Sequence, residues 1–157
     1  MIAGLLFGGR VRYYSIIMDQ AVIKLGAGCV VIKDGMTLLA KRKGKFATGM
    51  WGSMGGHVEF GESPTEAAIR EAKEELGIEV GNLEFVQCMS MMHDGKHYLD
   101  VSFKADIISG EPTIMEPDKI AEIGWFPLTN LPSPMFPPVS TVLDAITSGN
   151  KYLEIRE

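Results

Sequence analysis

The chain of 157 residues is 46% hydrophobic and 22% charged, with a formal net charge of −5 at pH 7. This size is typical of one domain that buries its own core, and the acidic balance excludes the basic surface that nonspecific nucleic-acid binding needs. No apolar run approaches the roughly 20 residues of a membrane span. The two cysteines, Cys29 and Cys88, lack metal-site spacing and are typical of reduced thiols packed in strands. The composition predicts a cytoplasmic globular protein with neither a membrane nor a nucleic-acid polymer as partner.

The first 20 residues are predicted to be an N-terminal extension. They begin with the apolar stretch MIAGLLF and then turn basic and aromatic, whereas a secretory signal carries its positive charge before the apolar stretch. We expect this extension to be disordered or strand-like, with Met18 as an alternative start of translation. The remaining residues, 21–157, are predicted to form the single domain.

Turn signals divide that domain into two hairpins and two helices. Asp34-Gly35 and Asp94-Gly95 each join two β-rich runs, which is a strong hairpin signal. A glycine-rich connection (46–56) and the first helix lie between the hairpins, and a loop (109–124), a short strand (125–128), a proline-rich segment (131–138) and a helix ending at Gly149 follow the second. This order predicts an α+β fold, an α/β/α sandwich with a mixed β-sheet between helices.

The ends of the first helix are marked by residue type. Ser63 is a good N-cap, Pro64 suits the first helical position, and Glu66 completes a capping box. Gly77 suits the position after the last turn. The sequence therefore predicts a helix between Ser63 and Gly77.

This helix carries much of the negative charge of the chain. From His57 to Val80 there are seven glutamates and two cations, an excess equal to the whole net charge. A repeat of 100° per residue predicts a core-facing side, formed by Thr65, Ile69, Ala72 and Leu76, and an acidic side, formed by Glu71, Glu74 and Glu75. Like charges at this spacing repel. The acidic side is either a solvated face or a carboxylate cluster that a hard cation such as Mg²⁺ holds together.

The wider spacing resembles the Nudix box, G-x5-E-x7-R-E-U-x-E-E-x-G-U, in which U is a bulky aliphatic residue. The matching residues are Gly56, Glu62, Arg70, Glu71, Glu74, Glu75, Gly77 and Ile78, and Ala72 is smaller than the usual residue at the first U. The likeness extends over about residues 24–143. The flanks GGHVEFGE and GEPTIMEP resemble the MutT-like branch of the Nudix hydrolase superfamily, which cleaves nucleoside triphosphates, although Met54 stands where proline is usual.

The resemblance implies a metal site and a catalytic group. Its metal ligands would be Gly56 through its carbonyl, Glu71, Glu74, Glu75 and Glu116, and its catalytic residues Arg70, Glu71, Glu74 and Glu116. The expected cofactor is Mg²⁺, with Mn²⁺ as a substitute, and Glu62 and Arg70 would orient the ligands. For Arg70 the alternative is a surface pair with Glu74. For Glu116 it is a solvent-facing loop residue, with Glu111 as the rival for its role.

Substrate contacts are predicted on both sides of the box. Arg42 belongs to a run of four cations within residues 41–45 that would meet a phosphate tail, and His57 would bind a phosphate oxygen or orient a carboxylate. By similarity, Gly52 and Ser53 would line a base slot on which Phe136 stacks. The alternatives are a solvated charge run, a structural histidine and a core phenylalanine.

The expected activity is Mg²⁺-dependent hydrolysis of a nucleoside triphosphate, in its deoxy or a modified form, to the monophosphate and pyrophosphate. One alternative keeps the fold and changes the substrate, as in an ADP-ribose or nucleotide-sugar diphosphatase. The other is a Nudix-like module that senses nucleotide without turnover. Small proteins of this branch commonly pair, so a homodimer is also expected.

Overall fold

The computed structural model describes residues 3–7, 10–14, 22–93 and 95–156. The strands are β1 (Ala3–Phe7), β2 (Arg10–Tyr14), β3 (Ile23–Lys33), β4 (Met36–Arg42), β5 (Trp51–Gly52), β6 (Met54–His57), β7 (Glu79–His93), β8 (Lys96–Ser109), β9 (Ile120–Pro127) and β10 (Tyr152–Arg156); the helices are α1 (Pro64–Leu76) and α2 (Pro137–Ser148). No helix in these ranges is long and apolar enough to cross a membrane.

Eight of these strands form a mixed sheet in the order β10-β7-β8-β3-β4-β5, with β6 also pairing with β3 and β9 with β4. The β3–β8 and β10–β7 pairs are parallel, and the other pairs are antiparallel. β3, a strand of the first hairpin, therefore also pairs with the second hairpin through β8. It holds β6, the strand that precedes α1, against the centre of the sheet.

Alternate residues of the central strands enter two different cores. In β3, Cys29 and Val31 pack under α1, whereas Val30 packs under α2. In β4, Leu38 faces the first core and Leu39 the second. Because successive side chains of a strand point to opposite faces, this alternation places the sheet between the two helices and confirms the predicted sandwich.

The predicted caps of α1 are confirmed, but its predicted core face is partly wrong. The Ser63 side chain accepts a hydrogen bond from the Glu66 N–H, the Ser63 N–H donates to the Glu66 carboxylate, and Gly77 adopts the left-handed conformation with φ of 66°. Ala72 and Leu76 are buried as expected, but Ile69 is 37% exposed and Thr65 is exposed as well. Ala67 and Ala68 are buried instead, because their small side chains let the helix approach the sheet closely.

Several short elements were not predicted. β5 and β6 lie within the glycine-rich connection, β10 follows α2, and β9 begins at Ile120 inside the predicted loop. α2 begins at Pro137, so two prolines of the proline-rich segment form its first turn, where a missing N–H costs no hydrogen bond.

Within the predicted extension, β1 and β2 pair antiparallel as a two-stranded sheet. Met18 lies outside the described residues. The division of the chain at residue 20, and the alternative start of translation, stay predictions.

Candidate active site

The acidic side of α1 faces β6, the last strand before the helix. The Gly55 N–H donates to Glu75 Oε2 at 3.2 Å. A Cβ built on Gly56 would overlap the Glu71 carboxylate. The two box glutamates four residues apart are thus held against the backbone of β6, and only glycine leaves room for Glu71 at position 56.

Arg70 ties the helix to the loop that precedes it. Its guanidinium donates to both oxygens of Glu62, at 2.9 and 3.0 Å, to Glu71 at 2.7 Å and to Glu74 at 3.1 Å. A further bond of 3.0 Å reaches the His57 carbonyl. These bonds, led by those to Glu62, raise the pKa of Arg70 and lower that of Glu62. Arg70 therefore does more than pair with Glu74 on the surface, because it fixes the positions of three carboxylates.

Glu75 is partly buried and is held against β6. Burial, and then the negative charges of Glu71 and Glu116, raise its pKa to about 7, against the opposing effects of the Gly55 N–H and of Arg42. A nearby cation would strongly stabilise the ionised form of a carboxyl in such surroundings.

The loop between β8 and β9 brings Glu116 to the same place. The Met115 N–H donates to the Glu75 carbonyl at 3.0 Å and the Thr113 N–H to the Leu76 carbonyl at 2.9 Å. The loop thus supplies hydrogen-bond donors to two carbonyl groups in the last turn of α1. Glu116 Oε1 pairs with Lys119 at 2.7 Å, while its Oε2 is buried and has no hydrogen-bond partner in the described part of the chain. Glu111, the rival, borders a separate cavity with Val31 and Asp106.

These carboxylates suit a divalent cation, but they do not yet converge on one. Among residues 22–93 and 95–156, no three acidic, histidine or cysteine side chains already stand as a ligand set. Each is held by another donor: Glu71 and Glu74 by Arg70, Glu75 by Gly55 and Glu116 by Lys119. The unpartnered Glu116 oxygen and the mutual repulsion of three carboxylates are what a hard cation with oxygen ligands would relieve.

Glu74 stands apart from the buried pair. Its side chain is 52% exposed and borders an open depression with Arg70, Met115 and Glu116. It can therefore reach a cation only from the solvent side of the cluster.

A cavity of about 420 Å³ is lined by Gly55 and Gly56, by neighbouring strands of the sheet, and by Pro138 and Val139 of α2. Four predicted substrate residues line it, namely Arg42, Ser53, His57 and Phe136. Gly52 is buried behind this wall, where a Cβ would lie 3.8 Å from Phe136 Cβ. The cavity is thus bordered both by the two glycines that contact Glu75 and Glu71 and by an aromatic side wall.

The basic run contributes one side chain to this cavity. The Arg42 guanidinium lies 5.2 Å from the ring centre of Phe136 and donates to the Phe46 carbonyl at 3.3 Å. Lys41 pairs with Glu122 at 3.6 Å, and Lys43 donates to the Pro117 carbonyl at 3.1 Å. Arg42 is therefore the cation of the run that is placed to meet a ligand.

The sequence did not reveal the wall that the second hairpin forms. Met89 and Met91 of β7 and Tyr98, Asp100 and Ser102 of β8 line the cavity. They follow the end of the box at Ile78 by 11 to 24 residues in sequence, and the parallel pairing of β3 with β8 brings them to the site. The one available signal was a charged residue, Asp100, inside the apolar run YLDVSF.

Comparison with known proteins places this geometry in a family. A model described as the NUDIX domain matches residues 22–145. The NAD-capped RNA hydrolase NudC of Pseudomonas entomophila is 36% identical over 105 residues, which are 66% of this chain and 36% of that protein. The chain thus spans little more than a third of the length of this curated relative.

Solved structures share the fold of this chain. The MutT NUDIX hydrolase of Burkholderia pseudomallei has a TM-score of 0.77 and 33% identity, covering 80% of this chain and 98% of that one. An ADP-ribose pyrophosphatase of Streptococcus suis, at 19% identity and a TM-score of 0.63, shares the fold. Because the family model matches most of this chain and the box residues are gathered in one cluster, the chain belongs to the Nudix family.

Proposed function

We propose that the chain hydrolyses nucleoside triphosphates to monophosphate and pyrophosphate, with Mg²⁺ as its metal and Mn²⁺ as a substitute. The observation that carries this proposal is one cavity lined by Gly55 and Gly56, which contact the glutamates, by Arg42, and by aromatic and methionine side chains. A phosphate chain would lie beside the two glycines and Arg42, and a base against the aromatic side chains. The match in fold and sequence to a MutT hydrolase supports the same class of substrate.

Glu71, Glu74, Glu75, Glu116 and the Gly56 carbonyl would hold the metal, which offsets charge on the phosphate oxygens when bound. Arg70 keeps the carboxylates in place, and Arg42 meets the phosphate tail. The attacking water loses a proton to a carboxylate of the cluster that the metal leaves free, and Glu116, through its unpartnered Oε2, takes this role where it does not bind the metal. Its oxygen bonds to phosphorus as the bridging P–O bond to the pyrophosphate breaks, so the chain contributes positioning and electrostatics rather than a covalent intermediate.

A diphosphate-linked substrate is the second candidate. Proteins similar to this chain are named NAD-capped RNA hydrolase and ADP-ribose pyrophosphatase, and the nucleotides in both names contain a diphosphate linkage. We place this candidate second because the MutT NUDIX hydrolase structure is 33% identical to this chain, whereas the ADP-ribose pyrophosphatase is 19% identical. Of the four cations at positions 41–45, Arg42 is the one that lines the cavity, so this basic run favours a triphosphate less strongly than the sequence suggested.

Catalytic efficiencies for the common deoxynucleoside triphosphates, ADP-ribose, NAD and a nucleotide sugar, each with and without Mg²⁺, test the assignment. We expect at least one triphosphate to be cleaved more efficiently than any diphosphate-linked compound. A higher kcat/KM for ADP-ribose or NAD than for every triphosphate would establish the second candidate instead.

We further propose a cytoplasmic homodimer that acts on free nucleotides rather than on a nucleic-acid polymer. The methionine-rich strand supports pairing less than its sequence suggests, because Met89 is buried and Met91 lines the cavity, whereas Met92 is 44% exposed. Phe85 and Tyr152, at 44% and 52%, add exposed apolar area nearby. Sedimentation at micromolar concentration is expected to show twice the 17.2 kDa chain mass, and a purely monomeric species would refute the dimer.

A further inference from the structure

The strand β10 leaves one edge of the eight-stranded sheet open. It pairs with β7 on one side, and of the strands that the structure describes none pairs with its other side. The Lys151 carbonyl accepts from the Cys88 N–H at 2.9 Å, and the parallel register sets Tyr152 opposite Cys88. Because the backbone groups of successive residues point to alternate sides of a strand, those of Tyr152, Glu154 and Arg156 face the open edge.

Local bonds limit which of these groups another strand could use. The Tyr152 N–H already donates to Asn150 Oδ1 at 3.4 Å, which leaves the N–H and C=O groups of Glu154 and Arg156. The side chains of these two residues carry opposite charges, lie 3.5 Å apart and are 48% and 75% exposed. An exposed strand edge of this kind readily accepts a further strand.

We propose that β10 pairs antiparallel with β10 of a second copy, around a twofold axis at Ile155, and that this contact forms the homodimer proposed above, on which the inference rests. In this register the backbone groups of Glu154 bond those of Arg156 in the second copy, and the reverse pair forms as well. Each pair sets a carboxylate directly opposite a guanidinium, where opposite charges attract. The half-buried Ile155 lies opposite its own copy. The strand is therefore complementary to itself in both hydrogen bonds and charge.

The neighbouring registers fit less well. An axis at Glu154 would set two carboxylates opposite each other, and like charges in that position are destabilising. An axis at Leu153 would set Glu154 opposite Tyr152 and leave Arg156 opposite the uncharged Asn150. Both of these registers also need the Tyr152 N–H, which the Asn150 side chain occupies.

Charge reversal tests the contact in sedimentation experiments that contain neither nucleotide nor metal. Glu154→Arg and Arg156→Glu each create two like-charge pairs across the axis, so each variant alone should dimerise at least tenfold more weakly than wild type. An equimolar mixture of the two variants should dimerise about as tightly as wild type, because one copy then presents two cations and the other two carboxylates. Mixing does not restore the pair within either chain, so this recovery reports a contact between copies.

Lys104→Glu is the control, because it makes the same charge change as Arg156→Glu at a position on β8 that pairs with Glu84. It should leave the dimer unchanged.

The remaining outcomes separate this inference from the proposals on which it depends. If both single variants stay dimeric, the homodimer forms through another surface and the inference fails. If the mixture dimerises as weakly as its components, β10 does not pair in this register, which overturns the inference as well. A monomeric wild-type protein would refute the homodimer and its interface together, whereas an absence of triphosphate cleavage would refute the proposed reaction alone.

Discussion

At the scale of single residues, the site is a balance of charges within a few ångströms. Arg70 holds three carboxylates with bonds of 2.7 to 3.1 Å, while Glu75 is held by one backbone N–H. Arg70 therefore positions its neighbours, whereas the negative charge of Glu75 would be stabilised by a cation.

Glu75→Gln tests that separation. The amide keeps the shape and can still accept from Gly55, but it removes one ligand charge, so we expect kcat to fall at least a hundredfold. Without metal, the variant should be at least as stable as wild type at pH 7.5, since a buried charge has been removed.

Glu84→Gln, an exposed substitution on β7, is the control and should retain wild-type activity. Full activity of a folded Glu75→Gln protein would refute the metal assignment, whereas the absence of any turnover by the wild-type protein would favour the nucleotide-sensing module. All seven box positions with a specified glycine, glutamate or arginine are present, which favours the enzyme.

At the scale of elements, α1 brings its glutamates to the sheet because its inner side chains are small. Ala68 and Ala72 are fully buried, and the Met115 and Thr113 N–H groups bond the last turn of the helix. Helix, β6 and the Glu116 loop therefore form one unit, so a change in the spacing between helix and sheet should affect both stability and chemistry.

Ala72→Leu should separate the helix from the sheet. Overpacking a filled core costs about 1–3 kcal/mol, and Glu71 and Glu75 would move away from Gly55 and Gly56. Urea denaturation should show this loss, and the folded fraction should have lower kcat. Thr65→Leu, on the exposed side of the same helix, should change stability by less than about 0.5 kcal/mol; similar losses for both variants would contradict the packing argument.

The same elements show what the sequence could predict. The caps at Ser63 and Gly77 and the two hairpins depend on local chemistry, so they were predictable. β10 was not, because its five residues pair with β7, more than 60 positions away in the chain. The exposure of Ile69 and the place of Asp100 also depend on which strands become neighbours, and a single sequence does not specify that.

At the scale of the whole molecule, metal binding should couple the two halves of the site. Glu75 is on α1 and Glu116 on the loop after β8, and their repulsion opposes the folded state until a cation joins them. Ligands that bind only the folded state raise its stability. Millimolar Mg²⁺ should therefore raise the Tm of wild-type protein and raise that of Glu75→Gln by clearly less. Equal shifts in both proteins would mean that the metal binds elsewhere.

The products released from dGTP test the central claim most directly. The two carboxylate-rich elements and Arg42 are proposed to cleave the bridge that frees pyrophosphate, so dGMP and pyrophosphate should form in equal amounts and only with divalent metal. Chromatography of the nucleotide together with separate assays for pyrophosphate and orthophosphate measures this. Formation of dGDP and orthophosphate, or the same rate with excess EDTA, would contradict the account.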